Sequence, residues 1–406
     1  MLARLLVLAA LLAGSLLGQS TSTLFSQVDQ MLRGLSEITG WKVQRKVPSE
    51  ILHKDTFRKQ VEKGVKGAEA DKDNKAAETT LKMFGLVPPD FDLARESADL
   101  ITEQAAAFYD INKKRLFVMD TTQDTREQRL VLAHELSHAL ADQQHSIKKF
   151  MAAAMDDEES SAREAVVEGQ ASWLSWAYVL RRPGVPAEVP ASLLDELSNS
   201  AGADGDEFPV YHQAPLYIRE SLTFPYTDGM RFQDAVYRKL GSEAFEHVFH
   251  DPPHDTHQII HPDAYLASQT ATTPVLPSLE TQLGKEGRRF RALQEGHVGE
   301  FDVSVLLRQF IAGPASREEA AHWRGGLYRL YEHKQKKYPL LVHSTDWDSP
   351  DAAQKFFQMY QQVLHAKWKK MEVASSSDKE VRGTGDNGQF WIHLDGTTVQ
   401  VIEGLN

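Results

Sequence analysis

The sequence predicts an α+β protein in which a small antiparallel sheet packs on one buried helix and the remainder is mostly helical. Three observations support this fold class. Residues 105–120 contain two short runs of β-favouring residues around a polar turn. Helical patterns follow at residues 126–144 and 160–180, and both are largely apolar. Further helical segments, separated by prolines, make up most of the rest.

The composition is that of a folded globular protein. The chain has 406 residues, of which 41% are hydrophobic and 25% are charged. It contains no cysteine, which excludes disulfides, cysteine nucleophiles and zinc held by cysteine. The formal net charge of −12 argues against nucleic acid or anionic lipid as the main partner.

The first eighteen residues predict a secretory signal peptide. Arg4 supplies a short positive region, residues 5–17 are apolar or small, and polar residues begin at Gln19. The apolar run is too short to span a bilayer comfortably, and no later stretch is apolar enough to do so. We therefore expect an exported protein, periplasmic or extracellular, without a membrane span once the signal is removed. A retained N-terminal anchor is the alternative.

The region that follows the signal is predicted to be mainly helical. Residues 19–100 are interrupted at Pro48 and at the Pro88-Pro89 pair. This region could be a lid, a propeptide or part of the main fold. Residues 105–120 are then predicted as two strands, with the turn starting at Asp110.

Two long helices come next in the sequence. The first is predicted over residues 126–144, and Thr125 with Gln128 forms a plausible capping box at its start. The second is predicted over residues 160–180 and ends before Pro183. The remaining predicted elements are an acidic loop at 202–206, proline-containing loops from Pro225 to Pro277, helices at 299–337 and 347–370, and a strand pair at 389–404 with its turn at Asp395-Gly396.

The strongest motif is the pentapeptide from His134 to His138, whose second residue is Glu135. Residues four apart on a helix project from one face, so the two imidazoles can share a metal ion. Neutral imidazole is a good zinc ligand, and Glu135 can accept a proton from metal-bound water. The flanking residues are apolar nearly all round, which predicts a buried helix. Burying these polar groups without partners would be costly, and a metal ion would satisfy them.

Catalytic zinc usually has three protein ligands and one open position, so a third ligand is needed. Ala141 and Gln144 occupy positions where a metzincin requires glycine and a histidine or aspartate, which excludes that class. Glu164 and Glu168 share one face of the next predicted helix. We favour Glu168 because Gly169 beside it lets two helices approach closely. Glu164 is the rival ligand or a group that orients one.

Hydrolysis at zinc also needs a donor that stabilises the developing oxyanion. Residues 252–265 contain several histidines and a tyrosine, and His261 and Tyr265 are the candidates for this catalytic role. The alternative is a loop of packing and turn residues.

Two other features could belong to the site. Asp142 continues the row of His134 and His138 by four residues, so it could orient a ligand or pair with a base. Phe224-Pro225-Tyr226 with Gly229 could line a pocket, although such a run more often belongs to a core or a turn.

Taken together, the motifs resemble a family of exported, largely uncharacterised bacterial proteins of the gluzincin type. The chain departs from the family pattern at His257, where an acidic residue is expected, and at Ala107, where glycine is usual. The matching segments, in chain order, are Gly85-Leu-Val-Pro-Pro, Glu103-Gln104 with Phe108-Tyr109-Asp110, the His134 motif through His145, Val167-Glu168-Gly169, Phe224-Pro225-Tyr226 with Gly229, Pro252-Pro253 with Thr256, Gln258, His261-Pro262 and Tyr265, Gly299-Glu300, and Trp347 with Asp351-Ala352.

The resemblance implies a zinc metallopeptidase in which His134, His138 and Glu168 hold Zn²⁺ and Glu135 is the general base. Its substrate would be a peptide or protein, and the site would lie in a cleft between the sheet and the helical half. Two alternatives stay open: a zinc hydrolase of a non-peptide bond, and an exported binding protein that uses the metal for stability. The predicted divisions are a signal peptide (1–18), an N-terminal helical region (19–100), a zinc metallopeptidase-like domain (101–345) and a C-terminal helix and strand-pair extension (346–406).

Overall fold

Helices dominate the structure, and two separate sheets accompany them, which confirms the predicted α+β class. No helix within the described part of the chain is both long and apolar enough to cross a membrane. The predicted signal peptide, the capping residue Thr125 and the acidic loop at 202–206 lie outside the described residues. The computed structural model describes residues 21–65, 68–120, 126–182, 184–200 and 208–406.

The helices predicted at 126–144, 160–180 and 347–370 are confirmed as α5, α7 and α17. The α-helices of the described ranges are α1 (Thr21–Thr39), α2 (Lys54–Val65), α3 (Ala68–Phe84), α4 (Leu93–Gln104), α5 (Arg126–His145), α6 (Ile147–Ala152), α7 (Asp157–Leu180), α8 (Ala191–Ser200), α9 (Pro209–Gln213), α10 (Leu216–Leu240), α11 (Ala244–His250), α12 (Thr256–Ile260), α13 (Pro262–Leu266), α14 (Leu279–Leu283), α15 (Glu300–Phe310), α16 (Ala315–Ala320) and α17 (Pro350–Lys367). The strands are β1 (Ser49–Leu52), β2 (Ala107–Asp110), β3 (Arg115–Met119), β4 (Phe290–His297), β5 (Trp323–His333), β6 (Pro339–Trp347), β7 (Met371–Ser376), β8 (Glu380–Gly385), β9 (Gly388–Asp395) and β10 (Thr398–Leu405).

The small sheet has the order β1-β3-β2 and packs on α5. Strands β2 and β3 form the predicted antiparallel pair, with Tyr109 opposite Leu116. Strand β1 adds to β3 in parallel and was not predicted, because its four residues carry too short a pattern. Side chains alternate between faces, so Tyr109 and Leu116 pack toward α5 while Phe108 and Phe117 pack toward α2 and α4.

The large sheet lies at the C-terminal end of the chain. Its order is β4-β5-β6-β10-β9-β8-β7, every neighbouring pair is antiparallel, and α17 packs against it. The predicted strand pair at 389–404 is present as β9 and β10. The prediction of a helix over residues 299–337 is wrong beyond Ala320, because residues 323–333 form β5.

The division predicted between residues 345 and 346 falls inside β6, and the sheet takes strands from both sides of it. In the described part of the segment predicted as an N-terminal helical region, the helices pack into cores shared with the rest of the chain. Leu35 of α1 packs with α5 and α7, Phe57 of α2 packs under the small sheet, and Phe84 of α3 packs against the large sheet. The N-terminal helices are therefore integral to the fold.

Two main hydrophobic cores result. The helical core lies among α1, α5, α7, α10 and α11, and its buried residues include Leu35, Leu136, Trp173, Phe232 and Phe245. The sheet core lies between the large sheet, α3, α15 and α17, and its buried residues include Phe84, Leu307, Tyr328, Phe357 and Val401.

Candidate metal centre

Helix α5 presents two imidazoles in the middle of the helical core. His134 and His138 are only 4% and 1% exposed, because leucine, valine and alanine cover the helix on nearly every side. Four residues separate them, so they project from one face. Their Nε2 atoms lie 3.0 Å apart, and the ring centroids are 4.6 Å apart. Two ring nitrogens of the type that binds zinc thus point to one place.

Helix α7 brings a carboxylate to the same place. Glu168 Oε2 lies 3.1 Å from His134 Nε2 and 3.4 Å from His138 Nε2, and the residue is 2% exposed. The ligand atoms of these three residues all lie within 4.8 Å of one another. Glu164, the rival from the sequence, is not part of this group. The structure thus brings together the three residues predicted as ligands.

The electrostatics of the group follow from its burial. Burial alone would raise the pKa of Glu168, but the charge of His138 and hydrogen bonds from both imidazoles outweigh it and lower the pKa to about 2. Burial also opposes a charge on His138, yet the Glu168 carboxylate raises its pKa. For His134, burial is the larger effect and the pKa is lowered. The cluster therefore holds a buried anion next to a neutral imidazole.

Glu135 lies beside the cluster and is completely buried. Its Oε2 accepts a hydrogen bond from the backbone N–H of Tyr109 in β2, at 2.7 Å. Its Oε1 has no hydrogen-bond partner among the described residues. Burial raises the pKa of this carboxyl to about 8. A buried carboxyl oxygen without a partner is costly, so this atom is available to a group that is not part of the chain.

Tyr226 of α10 covers the cluster from a third helix. Its ring stacks on His134 with centroids 5.8 Å apart and an interplanar angle of 24°. Burial raises its pKa well above the ordinary value, and the charges of Glu168, Glu135 and Glu164 and a hydrogen bond to Glu168 raise it further. The phenol therefore keeps its proton and is a hydrogen-bond donor at the edge of the group.

A close contact between two backbones sets this position of α10. A Cβ atom on Gly169 would lie 2.0 Å from the carbonyl carbon of Gly229, and one on Gly229 would lie 2.3 Å from the carbonyl oxygen of Ala165. Only glycine allows α7 and α10 to touch in this way. Gly169 was expected to let α5 and α7 approach each other, but the helix that it contacts is α10. Glu168 and Tyr226 are adjacent because of this contact.

Asp142 pairs with bases and with the backbone. Its carboxylate accepts from Lys114 Nζ at 2.7 and 2.9 Å, from the Tyr109 hydroxyl at 3.0 Å and from the Ile147 N–H at 3.1 Å. Of the two roles that the sequence left open, these contacts are those of pairing with a base. Asp142 thereby ties the β2–β3 hairpin and α6 to the helix that carries His138.

The two residues predicted to stabilise an oxyanion are engaged with other groups. The Tyr265 hydroxyl donates to the Asp251 carbonyl at 2.6 Å, and His261 Nε2 lies 3.0 Å from Glu300 Oε1. The structure therefore does not bring either residue to the cluster, and Tyr226 is the tyrosine that contacts it. Tyr226 lies in the run with Gly229 that the sequence suggested as a possible pocket lining, although such a run more often belongs to a core or a turn.

Comparison with known proteins identifies only the C-terminal part of the chain. A family model described as a domain of unknown function (DUF8575) matches residues 288–406, from β4 to β10 with α15 to α17. Searches of curated proteins and of solved structures find no match. The matched segment contains the large sheet and does not include His134, Glu135, His138 or Glu168.

Proposed function

We propose that the protein is an exported zinc-dependent hydrolase that cleaves peptide bonds. The proposal rests on one observation: the ligand atoms of His134, His138 and Glu168 lie close together, next to Glu135. Glu135 is buried, and one of its carboxyl oxygens has no hydrogen-bond partner among the described residues. Two neutral imidazoles and one carboxylate, with a position left open, are the ligand set of many catalytic zinc sites. The apolar N-terminal segment supports export.

The residues present fit a zinc ion on two grounds. The three side chains offer the nitrogen and oxygen atoms that zinc prefers, and they are already gathered in a buried site. The free oxygen of Glu135 also needs a partner, and a water molecule next to the ion would provide one. When bound there, zinc would supply Lewis acidity and lower the pKa of its water.

Glu135 is the proton carrier in this proposal. The Tyr109 N–H holds one carboxylate oxygen, which fixes the side chain and leaves the other oxygen to receive a proton from the attacking water. The same carboxyl then delivers the proton to the leaving nitrogen. Burial raises the pKa of this carboxyl, and a cation held by His134, His138 and Glu168 would lower it, so that Glu135 is ionised and able to accept the proton.

Tyr226 is the proposed electrophilic donor. Its hydroxyl stays protonated and lies against Glu168, so it can donate to the carbonyl oxygen of the substrate as negative charge develops there. Ser172 lies 3.5 Å from Nδ1 of His134, on the other side of the ring from the cluster, and can help to hold that imidazole in its orientation.

The test is hydrolysis of a fluorogenic peptide library and of casein by the purified full chain loaded with zinc. We expect Glu135→Gln to lower kcat by ~100- to 10,000-fold, because a general base is lost. Its zinc content should equal that of the wild type, since Glu135 is not a ligand. Glu319→Gln is the matched control, because it removes another buried carboxylate that lies on α16.

The proposal fails if the zinc-loaded wild type cleaves no peptide, or if Glu135→Gln cleaves as fast as the wild type. Cleavage of ester or other non-peptide substrates alone would assign the centre to a different hydrolase class. A chelator should abolish wild-type activity, and added zinc should restore it.

A further inference from the structure

A second group of two imidazoles and one carboxylate lies apart from the His134 centre. His257 is in α12, His261 lies between α12 and α13, and Glu300 is the first residue of α15. His257 Nδ1 is 2.5 Å from Glu300 Oε2, and His261 Nε2 is 3.0 Å from Glu300 Oε1. The three residues can each present a ligand atom within 4.8 Å of the others. This donor set suits zinc and similar divalent transition metals.

The surrounding backbone holds the donors in place. Asp255 caps the start of α12 by accepting from the Gln258 N–H at 2.9 Å. The Phe301 N–H donates to Thr256 Oγ1 at 3.2 Å, which joins the beginning of α12 to the beginning of α15. Because both helices are anchored at the ends that carry the donors, the group is preorganised for binding.

Exposure also distinguishes this group from an ordinary surface cluster. The side chain of Glu300 is 4% exposed, whereas that of His261 is 36% exposed. The carboxylate is thus buried while one side remains open to an ion and to water ligands. His145, Glu246 and His250 form another group of the same composition, but Glu246 and His250 are 49% and 68% exposed. We use that group only as a control.

We propose that His257, His261 and Glu300 form a second binding site for a divalent transition-metal ion, with zinc as the test ion. The site is separate from the first. Thr256 binds Glu158 of α7 through both its N–H and its hydroxyl, and Glu168 lies ~15 Å farther along that helix at ~1.5 Å per residue. Two metal ions that act on one substrate are only ~3.5–4 Å apart.

An ion at this site would connect the two cores. Ile259 and Tyr265, on either side of His261, pack in the helical core. Val303 and Leu307, which follow Glu300 on α15, pack in the sheet core. The donors come from both sides, and they are gathered only in the folded chain, so binding would stabilise the junction. The role is structural, and it does not depend on the proposed hydrolysis.

The test counts zinc ions per chain after equilibrium dialysis of the full protein near neutral pH. The wild type should bind two ions. A His134→Ala/His138→Ala chain should keep one ion, and zinc should still raise its Tm. A His257→Ala/His261→Ala chain should also keep one ion. His250→Ala, in the exposed control group, should keep two.

A second double variant, His257→Gln/His261→Gln, separates loss of metal binding from loss of folding. Glutamine can still donate hydrogen bonds to Glu300 but is a poor zinc ligand. We expect this chain to lose one ion with no change of Tm in the absence of zinc. The proposal is overturned if the glutamine variant binds as many ions as the wild type, or if the His134→Ala/His138→Ala chain binds none. Neither result depends on whether the protein cleaves peptides.

Discussion

The two cores each bury a glutamate, and they neutralise it in different ways. In the sheet core, Glu403 Oε2 binds Lys367 Nζ at 2.7 Å and Oε1 accepts from the Tyr360 hydroxyl at 2.5 Å. The lysine and glutamate side chains are 4% and 0% exposed. In the helical core, the basic groups that pair with Glu168 among the described residues are His134 and His138.

The two glutamates differ in the source of the positive charge that balances them. Lys367 is a cation that the chain itself places against Glu403, and both carboxylate oxygens have a partner. Around Glu168 the basic groups are imidazoles, whose nitrogens bind metals well, and Glu135 nearby retains an oxygen with no partner among the described residues. The charge of Glu403 is therefore neutralised within the chain, whereas the arrangement around Glu168 fits the metal site proposed above.

The largest effect should come from breaking the internal pair of the sheet core. Glu403→Ala leaves the Lys367 charge buried and unpaired, which should lower the free energy of unfolding by ~3–5 kcal/mol. Denaturant unfolding measures the change. Combining it with Lys367→Met should restore part of the stability, and zinc binding at His134 should not change. A loss below ~1 kcal/mol, the range of exposed ion pairs, would contradict this view of the pair.

Tyr226→Phe tests whether the Tyr226 hydroxyl is a hydrogen-bond donor in the proposed hydrolysis. Loss of one donor to a developing oxyanion should lower kcat by ~100- to 1,000-fold, with KM and zinc content close to those of the wild type. Tyr265→Phe is the matched control and should keep kcat within a few-fold, because its hydroxyl binds the Asp251 carbonyl. Equal losses in the two variants would remove Tyr226 from the mechanism.

Gly169→Ala tests the helix contact that joins Glu168 to Tyr226. The added methyl would lie 2.0 Å from a backbone atom of Gly229, so α7 and α10 must separate, and we expect a loss of ~1–3 kcal/mol in stability with weaker zinc binding. The control is Gly34→Ala on α1, where the nearest atoms belong to the side chains of Arg181 and Tyr178, which can rotate away. If both substitutions have the same effect on zinc affinity, the contact does not position the centre.

The last prediction concerns a pH dependence in the sheet core. Burial first, and then the charge of Lys367, lowers the pKa of His343 to about 3. The imidazole of the unfolded chain is protonated below a pH of ~6.5, whereas that of the folded chain stays neutral until the pH approaches 3. The free energy of unfolding is therefore unaffected above pH ~6.5 and falls by up to ~1.4 kcal/mol per pH unit between the two values.

His343→Gln should reduce this slope, and it preserves a donor to the Tyr360 hydroxyl that lies 2.9 Å from the imidazole. Urea unfolding at several pH values between 4 and 7 measures the slope. His365→Gln, at an exposed position of α17, is the control. Identical slopes for the wild type and His343→Gln would show that His343 is not the group responsible.

Features with a local signal in the sequence were predicted correctly. Helix α5 was predictable because apolar residues surround His134 and His138, and helix spacing alone places both imidazoles on one face. Glu168 could be chosen because it lies on the next helix beside a glycine. The β2–β3 hairpin was predictable because its two strands are separated by a short turn.

Non-local features were missed. In the large sheet, β4 and β5 are separated by α15 and α16, and β6 pairs with β10 rather than with the next strand, β7. Gly325-Gly326 also interrupts the alternation of β5, so residues 323–333 were assigned to a helix. The assignment of His261 and Tyr265 had another cause. Potential donors are frequent in residues 252–265, but a sequence does not reveal that Glu300 and the Asp251 carbonyl already bind them.

The metal-binding role proposed for His134, His138 and Glu168 can be tested by locating the ion. The measurement is an anomalous difference map at the zinc absorption edge, from crystals of the full chain grown with zinc. We expect a peak at ~2.0–2.2 Å from His134 Nε2, His138 Nε2 and a Glu168 carboxylate oxygen, which are normal zinc–ligand distances. A map with no peak among these three atoms would contradict it.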